Sequence, residues 1–206
     1  MSQMTEGFLV YSDMKLIIAS NNKHKVCEIK QILAERFDEI LSLSEAGVVH
    51  ETVEDGKTFM ENALKKAREI SSITGCAALA DDSGLCVDAL GGEPGIFSAR
   101  YAGEESAELR DEANIRLLLN NLQGSEDRRA HFTCAMALVY PDGNEVIAEG
   151  YMRGEILTEK RGANGFGYDP VFLPEGESSA VAQMSESKKN EISHRANAIK
   201  LLLEKI

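Results

Sequence analysis

Apolar residues recur along this chain with two periods, and the switches between them outline most of the elements. Lys15–Ala19 is a β-forming apolar run, closed by the turn formers Ser20, Asn21 and Asn22. Val26, Ile29 and Leu33 then recur at helical spacing, and Ile40–Leu43 reads as a second short strand. Thr58-Phe59-Met60-Glu61 has the form of a capping box, in which Thr58 accepts from the third helical N–H and Glu61 reaches back. The helix it opens carries Met60, Ala63, Leu64, Ala67 and Ile70 on its inner face, and Gly75 is placed to end it. Ala77–Ala80 is a short buried strand, Asp81-Asp82-Ser83-Gly84 the loop after it, and Leu85–Leu90 a further strand.

Beyond Gly91–Gly95 the pattern predicts an amphipathic helix over Ala107–Leu122. A period-two strand follows through Phe132, Cys134, Met136 and Leu138. Pro141-Asp142-Gly143-Asn144 turns the chain into a long return strand, Glu145–Leu157. Gly162–Gly167 is a glycine-rich loop, and a last helix carries Ile192, Ala196, Ile199, Leu203 and Ile206 with Ser193 as its N-cap. Strand–loop–helix units combined with a hairpin predict an α/β fold with a mixed, twisted sheet in one domain, 14–206, with two lobes around a central cleft. Met1–Asp13 is expected to be a short extension, either disordered or a misassigned start.

Composition changes this picture little, and charge changes it more. At 206 residues, 43% hydrophobic and 27% charged, the chain matches an ordinary globular protein. The formal net charge of −12 argues against duplex nucleic acid, whose affinity rests on cations neutralising phosphates. A small phosphorylated ligand remains possible for an acidic protein if cations are gathered locally or metal ions bridge carboxylate and phosphate. No apolar run reaches membrane-spanning length, and no secretory signal pattern opens the chain. Cys27, Cys76, Cys86 and Cys134 show no CxxC spacing and are expected to be reduced, buried thiols of a cytoplasmic protein.

Four segments carry candidate chemistry. Ser20-Asn21-Asn22-Lys23-His24-Lys25 joins a strand to a helix start, where backbone N–H groups and Lys25 favour an anion. Asp81 and Asp82 follow a buried strand, with Glu54 and Asp55 ahead of the Thr58 helix; oxygen ligands of this kind suit Mg²⁺ completed by phosphate. Gly165-Phe166-Gly167-Tyr168-Asp169-Pro170 can offer an aromatic face to a base. Lys189 with Ser193-His194-Arg195 gathers donors at a helix start. Taken singly, each also reads as something plainer: a polar turn, a solvated acidic turn, core aromatics under a loop, a charged helix end.

Together they are similar to a known family. SNNKHK at 20–25, TFMENALKKA at 58–67, LADDSGL at 79–85, LGGEPGIFSARYAG at 90–103, GFGYDP at 165–170 and ISHRANAIKLLL at 192–203 resemble, in order, the inosine triphosphate pyrophosphatases. The family usually has Gly where Asn21 stands; Asn tolerates left-handed backbone, so the loop is expected to survive. The resemblance implies an elongated mixed sheet with flanking helices, a homodimer, and Mg²⁺ in one or more copies per site. It implies hydrolysis of noncanonical purine nucleoside triphosphates (ITP, dITP, XTP) to monophosphate and pyrophosphate. Ser20, Asn21, Asn22, Lys23, His24, Lys25 and Lys66 would hold the triphosphate. Glu54 and Asp82 would ligate the metal with Asp81 beside them, and Asp82 would accept the proton from the attacking water. Ser83 would touch substrate; Phe166, Gly167, Tyr168 and Asp169 would form the base pocket; Lys189, His194 and Arg195 would read the base edge. The rival readings are a catalytically silent nucleotide-binding module, which a turnover assay with Mg²⁺ and with EDTA separates, and a pyrophosphatase for other modified or standard nucleotides, which a substrate panel decides.

Overall fold

The computed structural model describes residues 3–5, 8–34, 36–103 and 106–206. Within them the chain forms β1 (Gln3–Thr5), β2 (Phe8–Ile18), α1 (Lys23–Leu33), β3 (Phe37–Ser42), α2 (Phe59–Thr74) and β4 (Ala77–Val87). There follow α3 (Ala107–Asn121), β5 (Arg129–Val139), β6 (Glu145–Ile156), β7 (Phe172–Pro174), α4 (Glu186–Ile192) and α5 (His194–Leu203). The strands make a sheet in the order β1-β2-β4-β5-β6-β7, with β3 paired to β2. The sheet is mixed: β2 runs parallel to β3 and β4, while β1–β2 and β6–β7 are antiparallel. The fold is therefore α/β, with helices flanking a mixed sheet.

The helix punctuation works as the sequence predicts. The Thr58 side chain accepts from the Glu61 N–H at 3.1 Å, and Gly75 ends α2 in the left-handed region at φ 65°. The Glu61 carboxylate reaches back one residue further than a capping box requires, to the Lys57 N–H at 2.6 Å.

Several expectations need correction. The strand expected at Lys15–Ala19 is β2, which begins at Phe8, and β1 precedes it; residues 1, 2, 6 and 7 of the expected extension lie outside the described residues. Asp81–Gly84 is no loop: β4 runs unbroken through it, because the two acids find lysine and amide partners that make burial tolerable. The last helix is two, α4 and α5, broken at Ser193, so Ile192 belongs to α4; Ser193 still caps α5, its hydroxyl accepting from the Ala196 N–H at 3.1 Å. β7 has three residues, too few to show a period. All four cysteines are free, but only Cys134 is buried, and Cys27 on α1 is exposed.

The chain divides into two compact units. The first comprises the chain up to Asp82 with Ala135–Glu149 and Ala198–Ile206; the second comprises Ser83–Cys134 and Gly150–Asn197. In the first, the cluster between α2 and β4 is built largely from small side chains, with Ala63 and Ala67 of α2 packed with Ala78 and Ala80 of β4, Ile17 and Ile70. Short side chains let a helix lie close to a sheet, which brings polar groups on α2 within reach of β4. The second unit packs bulkier groups: Leu85, Val87, Leu118, Leu122, Phe132, Tyr168 and Phe172. Each fully buried Leu, Ile or Phe there stabilises its unit by roughly 1.5–3 kcal/mol.

Candidate active site

Two sets of the predicted side chains are gathered, one in each unit. In the first unit, successive residues of β4 point to opposite faces, so Asp81 and Asp82 meet different partners. Asp81, fully buried at its side chain, takes the Lys25 ammonium at 3.0 Å. Asp82 Oδ2 accepts from the Asn62 amide at 3.0 Å, and Asp82 Oδ1 lies 3.5 Å from Lys66 Nζ. Lys66 Nζ also bonds Glu54 Oε1 at 2.8 Å, so one ammonium sits between two carboxylates.

The electrostatics follow from burial. Desolvation pushes the Asp82 carboxyl above its ordinary value, with Glu54 adding to the push; Lys66, Lys25 and the Asn62 bond pull it back only in part. Burial alone would lower Lys66, but Asp82, Asp81 and Glu54 outweigh it and hold the ammonium charged.

The phosphate-loop candidates have local duties. Asn22 is the N-cap of α1, its side chain accepting from the His24 and Lys25 N–H groups at 3.0 and 3.3 Å. Those two N–H groups are thus already satisfied, and the cap sets the loop's shape. Ser20 Oγ accepts from the Asn22 N–H at 3.2 Å, and the Asn21 amide donates to the His50 carbonyl at 3.3 Å. Lys23 and His24 are exposed.

In the second unit, Phe166, Asp169 and Lys189 form one connected set. Asp169 Oδ2 accepts from the Phe166 N–H at 3.0 Å and from Lys189 Nζ at 2.9 Å, and Lys189 Nζ stands 4.6 Å from the Phe166 ring centroid. Gly165 is required here: a Cβ would fall 2.1 Å from Asp169 Oδ2, at a φ of 77°. The Gly167 N–H donates to Asp111 Oδ2 of α3 at 2.6 Å.

Three of the predicted residues are nearly fully buried. Tyr168 lies in the core, its hydroxyl donating to the Ser98 carbonyl at 2.9 Å, and burial raises its pKa. His194 is stacked on Phe132 with centroids 4.9 Å apart. Arg195, 1% exposed, donates from Nη2 to Ser83 Oγ at 3.1 Å.

Sequence reasoning missed Asn62 and Asp111. Asn62 had a signal: with Lys66 it places two polar residues four apart on the stripe that carries Ala63, Ala67 and Ile70. Asp111, on an amphipathic helix full of charges, had none.

Glu54 and Asp82 suit a hard divalent cation, because the structure already seats a positive charge between their oxygens. Among the described residues, no group of three or more His, Cys, Asp or Glu is arranged to hold a metal. Two carboxylates suffice for Mg²⁺ when substrate phosphates and waters complete the shell.

A family model described as the Ham1 family matches residues 16–205. A dITP/XTP pyrophosphatase of Bacillus licheniformis is 49% identical over 190 residues, which cover 91% of this chain and 95% of that one. The solved Ham1 protein of Staphylococcus aureus aligns at a TM-score of 0.82 and 44% identity, covering 92% of this chain and 96% of that one. A HAM1 protein from Coxiella burnetii aligns at 0.83 and 38%, covering 93% and 97%.

Proposed function

This chain belongs to the Ham1 family, and from that premise we propose that it hydrolyses noncanonical purine nucleoside triphosphates such as dITP, ITP and XTP to the monophosphate and pyrophosphate. The observation that carries the reading is the Lys66 ammonium held between Glu54 and Asp82, with Lys25 on Asp81 beside it. Each pair is an exchangeable one: a lysine freed from its carboxylate can hold phosphate oxygens, while the carboxylates take a metal ion instead.

Glu54 and Asp82 are the residues that would hold Mg²⁺. When bound, the ion would offset the charge of the triphosphate. Lys25 and Lys66 bind phosphate oxygens, alongside the Ser20–Lys25 loop that Asn22 shapes. Asp82, pushed toward proton affinity by burial, accepts the proton of the attacking water at its carboxylate. Attack falls on the α-phosphorus, and pyrophosphate leaves. In the second unit Phe166 presents a ring face to the purine, Asp169 fixes the loop and Lys189, and His194 and Arg195 supply donors to a 6-carbonyl.

Residues 14–206 act in this proposal as one catalytic domain, in a cytoplasmic homodimer. Among the described residues no helix is long and apolar enough to cross a membrane. A panel of ITP, dITP, XTP, GTP, ATP and CTP, run with Mg²⁺ and with EDTA, tests the function. Turnover of the first three with Mg²⁺, abolished by EDTA, supports it. Binding without turnover of any of the six defeats it.

A further inference from the structure

Asn62 is 1% exposed, one turn into a helix whose other inner residues are mainly Ala and Ile. A buried amide is costly unless both its ends are bonded. Here both are: Nδ2 donates to Asp82 Oδ2 at 3.0 Å, and Oδ1 accepts from the Gly56 N–H at 2.8 Å. The orientation of the amide is fixed by its partners, since a backbone N–H needs an acceptor and a carboxylate needs a donor. The amide supplies one donor and one acceptor, as these two partners require.

The two partners belong to the two carboxylate-bearing segments. Gly56 is two residues after Glu54, and Asp82 lies on β4. Gly56 also fits only as glycine: a Cβ there would meet Asn62 Oδ1 at 2.6 Å and Glu61 Cβ at 2.9 Å. The loop is further stitched to α2 by the Lys57 N–H on Glu61. Lys66, four residues on, contacts the other Asp82 oxygen, Oδ1, at the looser distance of 3.5 Å. The two contacts differ in kind. Lys66 sits on a long flexible stem and can leave; Asn62 sits on a short one and cannot follow it.

We infer that Asn62 is a positioning residue that holds the Glu54 loop and the Asp82 carboxylate in one fixed relation, so that both present oxygens to a divalent cation after Lys66 has turned away. This rests on the proposed pyrophosphatase reading for its effect on turnover, though not for its effect on cation binding. Asn62 touches no reacting atom; it acts through Asp82 and Gly56.

Two variants test it. Asn62→Ala removes both bonds, and Gly56→Ala displaces the Asn62 amide while leaving both carboxylates intact. Mn²⁺ affinity, read by electron paramagnetic resonance on the whole chain, should fall about 10–100-fold in each, the usual effect of losing a group that orients a metal ligand. For ITP with Mg²⁺, kcat should fall by a similar factor, while KM moves less than about threefold, because substrate contacts are untouched. Circular dichroism and melting temperature report the folded fraction, and all values refer to folded protein. Unchanged Mn²⁺ affinity in the folded variants overturns the proposal, as does a lowered melting temperature with kcat per folded molecule intact. If the wild type turns over no nucleotide, the activity reading fails by itself, and the Mn²⁺ comparison still decides the role of Asn62.

Discussion

The charged cluster of the first unit and the proposed base-reading set of the second use similar residue types in different ways. Around Asp81 and Asp82, lysines pair with carboxylates that a phosphate and a cation can separate: Lys25 on Asp81 at 3.0 Å, Lys66 between Glu54 and Asp82. Around Phe166 the carboxylate of the charged pair also holds a backbone N–H. Lys189 bonds the same Asp169 oxygen that takes the Phe166 N–H, and Arg195 is packed at 1% exposure against Ser83. In the proposed function the first arrangement exchanges its partners for phosphate and cation, and the second holds its pairs together as part of a recognition surface. Damage to the first should therefore appear in kcat for every nucleotide, and damage to the second in the choice among nucleotides.

The sharpest break comes from Asp82→Asn. It keeps the shape of the side chain and removes the charge and the proton acceptor, so kcat should fall by about 10²–10⁴-fold with little change in melting temperature. Steady-state kinetics with ITP check this; a near-normal kcat in the folded variant would take Asp82 out of the chemistry. Asp81→Asn, whose carboxylate serves Lys25, should lose less.

In the second unit, Arg195→Ala should narrow the ITP-to-ATP ratio of kcat/KM by about 10–100-fold. Adenine offers a donor where hypoxanthine offers an acceptor, and a buried donor left facing a donor costs ~1–3 kcal/mol. If both nucleotides fall together, Arg195 serves through its Ser83 bond to hold β4 and does not read the base. Lys25→Ala makes the converse case. ITP, XTP and slow GTP turnover should all weaken by a common factor of about tenfold, the scale of one charge-assisted hydrogen bond. A loss confined to one base would contradict the assignment. Smallest is Asp111→Ala, which removes the acceptor for the Gly167 N–H. One lost hydrogen bond of about 1 kcal/mol predicts roughly a fivefold rise in KM for ITP with kcat unchanged.

What was legible in the sequence follows the same divide between local and distant causes. α2 was readable because Thr58 and Gly75 write its ends into neighbouring residues, and its apolar stripe fixes the buried face. β4 was misread because Asp-Asp-Ser-Gly has the local composition of a turn. What keeps it a strand is Lys25 and Lys66, which lie 56 and 16 residues earlier and announce nothing in the local pattern. The break at Ser193 was hidden for a related reason. A serine that can cap α5 reads equally as the start of one long helix, and the preceding turn of α4 supplies Ile192 at the same spacing. Of the site, the residue types were legible and their pairings were not. Local composition names Asp82 and the family resemblance names Lys66; only packing shows that Asn62 ties Asp82 to the Glu54 loop.

The most direct test of the account is where the oxygen of the attacking water ends. ITP is hydrolysed with Mg²⁺ in water enriched in heavy oxygen, and the products are separated and weighed by mass spectrometry. Attack on the α-phosphorus predicts the label in IMP and none in pyrophosphate. Label in pyrophosphate with none in IMP, or IDP and orthophosphate as the first products, would contradict it.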